Sequence, residues 1–417
     1  MKKLILIYLL ASCSIIAQYP QWETFGKMIN PVAGGQALVV DNKVYILGGY
    51  SDEVQKNVDW IQEFNVDTRQ WKIIGKMSVP RFGFLAGKYG EEIIILGGVQ
   101  DTVDNAVNME SFPFGYDYTK SVFADSNFNR IFAAGQILND IFYIFGGNAF
   151  QFSESKNLPY LSAIDLENDS IAFSVDSLFL GSELPSQQMS AAFNDNVYLF
   201  GGVINGVSKR TYCFNSTDTS FSRVPIDLIS PRAAGCAVPF AGNDVIYIIG
   251  GYNESNQALK SSEIIHIFGD NYFIEEAQNL IYSRKNLMAV EYKSDILVFG
   301  GFDELGRVVP HIERLALSTA TTTAENRFRA VNFSLEQNYP NPFNPTTVIK
   351  FQLPSSKFVK LKVYDLLGRE IQTLIDAPMP SGEHEIRFDG SNLASGVYIY
   401  RLTAGGYVYN RKMILAK

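Results

Sequence analysis

One short stretch recurs six times and constrains the fold more than any other feature. Four apolar residues, rich in β-branched and aromatic types, end in a Gly-Gly pair at 44–49, 93–98, 142–147, 197–202, 246–251 and 296–301. Between the first glycines (Gly48, Gly97, Gly146, Gly201, Gly250 and Gly300) the steps are 49, 49, 55, 49 and 50 residues. Such a run predicts a strand buried on both faces. The glycines that follow carry no Cβ, so the chain can turn sharply and pass close to a neighbouring backbone. One unit of this kind cannot bury both faces alone, whereas a ring of them can. The 30 Phe and 22 Tyr, against 3 Trp, agree with an all-β protein.

A longer unit surrounds each copy. Trp22, Gly26, Lys27, Met28 and Pro31 recur 49 residues on as Trp71, Gly75, Lys76, Met77 and Pro80. Aromatic pairs seven residues apart are Phe64 and Trp71, Tyr116 and Phe123, and Phe214 and Phe221. This pattern resembles the kelch family, whose repeat of about 50 residues forms one four-stranded blade of a β-propeller. Trp22 precedes any Gly-Gly strand, and the sixth repeat runs out near Leu317. The expected solution is a six-bladed kelch β-propeller over residues 18–318, with residues 20–26 completing the sixth blade. Closure of that kind removes exposed sheet edges.

Residues 1–17 read as a signal peptide: Lys2 and Lys3, an apolar run to Leu10, then small residues. Cleavage after Ala17 and lipidation at Cys13 are both readable, the latter from Leu10-Ala11-Ser12-Cys13. No later apolar run approaches the length of a membrane helix, so no transmembrane segment is expected in the mature protein. A net charge of −8 without a basic run argues against nucleic acid as a partner.

Residues 319–332 read as a linker. Beyond them, Ile349, Phe351 and Leu353, and then Val359, Leu361 and Val363, alternate with polar neighbours. Period-two alternation broken by Pro and Gly predicts a small immunoglobulin-like β-sandwich over 333–417. The segments 338–347 (with Pro340, Asn341, Pro342 and Phe343), 363–368, 395–398 (with Gly396 and Tyr398) and 412–417 (Lys412 to Lys417) resemble a type IX secretion system C-terminal sorting domain, type A. The resemblance implies the type IX secretion machinery as a partner. It also implies a secreted or cell-surface location, outside the outer membrane of a Gram-negative bacterium.

Propeller geometry puts the Gly-Gly end of the second strand on the face where the first strand begins. Sixteen residues before each first glycine stand Val32, Arg81, Arg130, Pro185, Ala234 and Arg284, with Arg232 two residues before Ala234. Kelch proteins that bind acidic peptides carry arginines at this place, so the resemblance implies ligand binding by Arg81, Arg130, Arg232 and Arg284. Guanidinium pairs bidentately with carboxylate or sulfate. The competing reading has the same arginines hydrogen-bonding carbonyls of the adjacent blade to hold the ring together. Two loops rich in aromatics, 99–118 (Phe112, Phe114, Tyr116, Tyr118) and 148–160 (Phe150, Phe152), are expected between the second and third strands, either as a stacking surface or as packing.

Signals of catalysis are sparse. His266, His311 and His384 stand in no metal-ligand motif, and neither a nucleophile elbow nor a phosphate loop occurs. The copper site of kelch-containing galactose oxidases has no counterpart in the motifs, so no metal and no cofactor are expected, and catalytic residues are unknown. Cys213 and Cys236 are a candidate disulfide in an exported chain or, alternatively, two buried thiols. The expected function is binding of an extracellular protein or acidic glycan at the arginine-bearing mouth. The alternatives are a carbohydrate-active enzyme of sialic-acid mutarotase type and a structural or adhesion module.

Overall fold

The computed structural model describes residues 20–99, 109–123, 130–151, 154–157, 160–168, 170–175, 184–240, 245–268, 271–317, 334–353, 357–366, 368–379, 382–404 and 407–417. The signal and linker readings (1–17 with Cys13 and Ala17, and 319–332) and Phe152 lie outside these residues, as does the side chain of Phe150. The described residues are all-β, without a helix.

Up to Leu315 the chain forms six four-stranded antiparallel sheets. The first runs Gln36–Val40, Lys43–Leu47, Trp60–Asn65 and Gln70–Lys76, here called strands a to d from the inside outwards. Strand a of each later sheet is Leu85–Tyr89, Ala134–Leu138, Met189–Phe193, Cys236–Phe240 and Met288–Tyr292. Hydrogen bonding joins the two ends of this region: Trp22–Lys27 pairs antiparallel with His311–Leu315 and supplies strand d of the sixth sheet. The Trp22 ring is buried there, and its indole N–H donates to the carbonyl of Gln278 at 2.9 Å.

Tight hairpins join strands a and b of the first, third and sixth sheets, where both turn residues have positive φ: Asp41 and Asn42, Asn139 and Asp140, Lys293 and Ser294. That is the turn whose twist suits a two-residue hairpin. Each strand b is the apolar run of the repeat. Val44, Ile46 and Leu47 have no exposed surface, and neither do Ile246, Ile248 and Ile249. Burying a side chain of this size contributes roughly 1.5–3 kcal/mol, so strand b anchors its sheet between the two neighbours.

Each strand a packs on the strand a of the next sheet, and the sixth packs on the first. Two sets of backbone contacts fix that arrangement. Gly34, Gly83, Phe132, Gln187, Ala234 and Asn286 all have left-handed φ and form a closed circuit of six hydrogen bonds. Gly34 N–H donates to Asn286, Asn286 to Ala234, Ala234 to Gln187, Gln187 to Phe132, Phe132 to Gly83 and Gly83 to Gly34, at 2.7–2.9 Å. The second set involves the Gly-Gly pairs. A Cβ on Gly97 would stand 2.3 Å from the Arg130 carbonyl oxygen, and one on Gly300 would stand 1.9 Å from that of Val32. The adjacent N–H groups of Gly49, Gly98, Gly202, Gly251 and Gly301 donate to the carbonyls of Arg81, Arg130, Arg232, Arg284 and Val32. The glycine pair is therefore where one sheet touches the next.

One feature differs from the sequence reading, and one open alternative is decided. Phe112, facing Ile93 as Phe64 faces Val44, is fully buried in strand c of the second sheet, Met109–Pro113. Phe112 therefore holds the inner aromatic position expected for Tyr116. Tyr116 and Tyr118 lie in the turn after that strand, about half exposed, on the face opposite the Gly-Gly ends. The open alternative concerns the cysteines. Cys213 and Cys236 are free thiols, not a disulfide. They pack in separate hydrophobic clusters, and Cys236 Sγ–H donates to the Leu287 carbonyl.

Residues 334–417 form a three-stranded and a four-stranded antiparallel sheet. One buried cluster, including Ile349, Phe351, Val359, Leu361, Phe388, Tyr400 and Met413, draws on both.

Candidate functional site

The four arginines are buried: Arg81, Arg130, Arg232 and Arg284 are 1%, 3%, 0% and 0% exposed. Each enters strand a of its own sheet just after the crossing from the previous one, and each turns its guanidinium inward. Arg81 Nη1 donates to the Gly97 carbonyl at 2.8 Å, and Nη2 meets Glu110 at 2.6 Å. Arg284 donates to the carbonyls of Gly300 and His311, both at 2.8 Å, and to Glu313 at 2.7–3.0 Å. Arg232 reaches the Gly250 and Ser261 carbonyls and Glu263. Arg130 reaches Gly146, Tyr160 and Ser162. The expectation that these guanidiniums line an open mouth is corrected by their burial. They tie the first strand of a repeat to its own Gly-Gly end, while their backbone carbonyls take the neighbouring sheet's N–H groups. The competing reading is not favoured either, since each guanidinium bond named here stays within one repeat.

The carboxylate partners complete a module. Glu313 also accepts from the backbone N–H groups of Ile281 and Tyr282, Glu263 from those of Ile229 and Ser230, and Glu110 from Ser78. Each carboxylate therefore holds both the arginine and the loop leading to it. Burial pulls all four guanidiniums below their ordinary value, and the glutamates oppose that for Arg81, Arg232 and Arg284. Arg130, beside Ser162, comes down to about 10. Sequence reasoning missed the glutamates, although Glu110, Glu263 and Glu313 follow their arginines by 29, 31 and 29 residues. The fifth repeat has two more residues between the end of its strand a (Phe240) and the start of its strand b (Val245) than the other repeats, which also explains the offset of Arg232.

With the arginines turned in, other residues form the rim at that face. The residues just before the left-handed circuit include Phe82 and Lys285, and those just after the Gly-Gly pairs include Tyr50, Tyr252 and Phe302. The rim has two unlike arcs. Tyr50, Phe302, Phe82 and Phe132, all half-buried, form a chain of ring contacts at 5.8, 6.2 and 5.6 Å between centroids. A Cβ on Gly34 would collide with the Phe82 ring at 2.1 Å, so glycine there makes room for it. Further round the ring, the Tyr252 hydroxyl donates to Gln187 Oε1 at 2.9 Å, and Lys285, whose backbone pairs with Phe302, places Nζ 5.6 Å from the Tyr252 ring centre while bonded to Asn256. Asn286 stands beside Lys285.

The histidines are dispersed. His266 bonds Glu275 at 2.9 Å, His311 stacks on Tyr282 at 4.6 Å, and His384 stacks on Phe351 at 5.1 Å in the C-terminal unit.

In that unit the motif residues converge although about 70 positions separate them. Phe343 is buried and pairs in parallel with Leu415, exchanging backbone hydrogen bonds with Ile414 and Ala416. Asn341 Oδ1 accepts from Ile414 N–H at 2.8 Å, and the Pro340 carbonyl accepts from buried Asn338 and from Thr347. Pro342 and Lys412 are exposed. Tyr398 donates its hydroxyl to the Ala394 carbonyl, Gly396 opens the same strand, and Lys417 Nζ donates to the carbonyls of Ser391 and Leu393 at 2.6 Å.

Comparison with known proteins gives two family matches. Residues 31–78 match the Kelch motif, and residues 337–416 match the Secretion system C-terminal sorting domain. The chain is 28% identical over 182 residues to the Kelch repeat protein C2 of vaccinia virus, in the Western Reserve and Copenhagen strains alike. The match covers 42% of this chain and 32% of the viral protein, so the chain spans about a third of the length of the curated relatives it matches.

Proposed function

We propose that this chain, with a kelch motif near its start and a secretion sorting domain at its end, is an exported binding protein. The six sheets are read as the blades of one kelch propeller over 18–318, and the two C-terminal sheets as an immunoglobulin-like sandwich over 333–417. The sorting domain points to secretion or cell-surface attachment in Bacteroidetes-type bacteria. The signal peptide and the type IX machinery provide the route, and the partner is an extracellular protein or an acidic glycan.

The observation that carries the reading is the division of the rim. An aromatic arc from Tyr50 to Phe132 offers ring faces for stacking or apolar contact. Adjoining it, Lys285, Gln187, Asn286 and Tyr252 supply one cation and several hydrogen-bonding groups. A ligand with an apolar face and a carboxylate edge matches both arcs at once. The buried arginines act behind the rim by fixing the strands that carry it.

The test is a thermal-shift screen of the full chain against sialic acid, galacturonic acid and glutamate-rich peptides. The Phe302→Ala/Lys285→Ala variant serves as the control. A shift lost in the folded variant supports the rim as the site. A shift that the variant retains, or no shift with any of these probes, removes the rim and leaves the adhesion module.

A further inference from the structure

We propose a second binding site, on the face opposite the rim, that takes a neutral saccharide. It is a groove of about 580 Å³ between the fourth and fifth sheets, within the size range of small-molecule sites. Two cross-strand rows of the fourth sheet make its wall. Asn196 faces Asn215 with Ser220 beyond, and Tyr198 faces Cys213 with Ser222 beyond. Ile267 and Tyr272 of the fifth sheet make the other wall.

The equivalent rows elsewhere show why this groove is unusual. The first sheet carries Lys43 and Glu63 there, paired at 2.9 Å, and the sixth carries Asp295 and Arg314, paired at 2.7 Å. The corresponding groove between the sixth and first sheets is smaller, about 350 Å³, and Lys293 and Asp67 bridge it at 2.9 Å. In the fourth sheet the positions hold only uncharged hydrogen-bonding groups. The one cation on the wall, Arg223, is already paired with Asp227 at 2.9 Å.

A wall of carboxamides and hydroxyls without net charge matches a ligand of hydroxyl groups without net charge. The Asn215 carboxamide is occupied, donating to Asn196 and accepting from Thr217 and Asp218. That fixes Asn196 Oδ1 as an acceptor and turns its N–H₂ outward as donor, next to Asn194, Ser220 and Ser222. Tyr272, half-buried and in edge contact at 6.2 Å with the buried Tyr198 behind it, provides the aromatic surface on which the apolar face of a pyranose stacks. The inference does not depend on the rim.

The full chain is titrated with maltose, cellobiose and lactose by calorimetry, with saturation-transfer NMR as a second readout. Saturable binding of at least one disaccharide is expected. Ser222→Trp should abolish it by filling the groove. Asn196→Ala should weaken it by about fivefold, the worth of one hydrogen bond. The Lys285→Ala variant should bind unchanged, which separates this site from the rim. The proposal is overturned if none of the three sugars binds saturably, or if binding persists undiminished in folded Asn196→Ala.

Discussion

The second, fifth and sixth repeats differ from the fourth in one buried feature. The former hold Arg81 with Glu110, Arg232 with Glu263 and Arg284 with Glu313, whereas the fourth has Pro185 and Tyr212 at the corresponding places. The first repeat, with Val32 and Gln62, is a second case without the ion pair. Yet the circuit of left-handed residues runs through Gly34 and Gln187 as it does through Ala234 and Asn286. Closure of the ring therefore belongs to the backbone. The ion pair has a narrower role, fastening the loop between sheets to the strand that follows.

The difference between the repeats should be largest at Glu313. Glu313→Ala leaves Arg284 charged and buried, which should cost about 3–5 kcal/mol in denaturant unfolding. Gln62→Ala, at the matching place in the first repeat, removes a single bond to the Asn30 carbonyl and should cost about 1 kcal/mol. Equal losses at the two sites would mean that the ion pair is not the anchor. Next in size is Gly300→Ala. Its Cβ would meet the Val32 oxygen at 1.9 Å on a left-handed backbone, for a loss of about 2–4 kcal/mol. Gly306→Ala shares the positive φ but has open space around it and should lose only about 1 kcal/mol. The sharpest separation of backbone from side chain is Arg284→Met with Glu313→Leu. Removing both charges should leave stability within about 2 kcal/mol of the parent, well above the Glu313→Ala variant alone. A double variant as unstable as the single one would place the ion pair in the closure itself.

The same contrast explains what can be read from the sequence. The Gly-Gly pairs are legible because their role is local: a backbone crossing excludes Cβ, and the repeat announces it six times. The strand Trp22–Lys27 is legible because a lone Trp precedes the first glycine pair. The direction of the arginine side chains is not. A repeated Arg fits a rim and a core equally well until its partner is found, and Glu110 stands in a different strand from Arg81. Phe112 reads as a loop residue because Pro113 and the turn after it follow so closely, although its place opposite Ile93 makes it core. The rim is hidden for another reason. Phe82 and Lys285 hold one position in the repeat and Tyr252 and Phe302 another, and neither position keeps one residue type through the six repeats, so no motif marks them.

The smallest expected effect concerns pH and separates buried tyrosines from the rim. Burial, with the carboxylate of Glu63 beside it, raises the Tyr45 hydroxyl to about 12, and burial raises Tyr400 in the C-terminal unit to about 12 as well. In the unfolded chain both would ionise near 10. Between pH 10 and 12 the folded protein thus retains protons that the unfolded chain has released. The stabilisation is fully present below pH 10 and is lost as pH rises through 12. Tyr45→Phe removes this titration and the hydroxyl's bond to Glu63 together. Its stability should fall slightly at pH 8 and decline less steeply above pH 10 than that of the parent, as followed by thermal melts across that range. Tyr252→Phe changes a half-buried rim residue whose hydroxyl bonds Gln187, and it should alter ligand binding at the rim more than the alkaline slope. If the two variants exchange behaviour, with Tyr252 governing the alkaline slope and Tyr45 the ligand response, the division between a rigid interior and a ligand-facing rim is drawn in the wrong place.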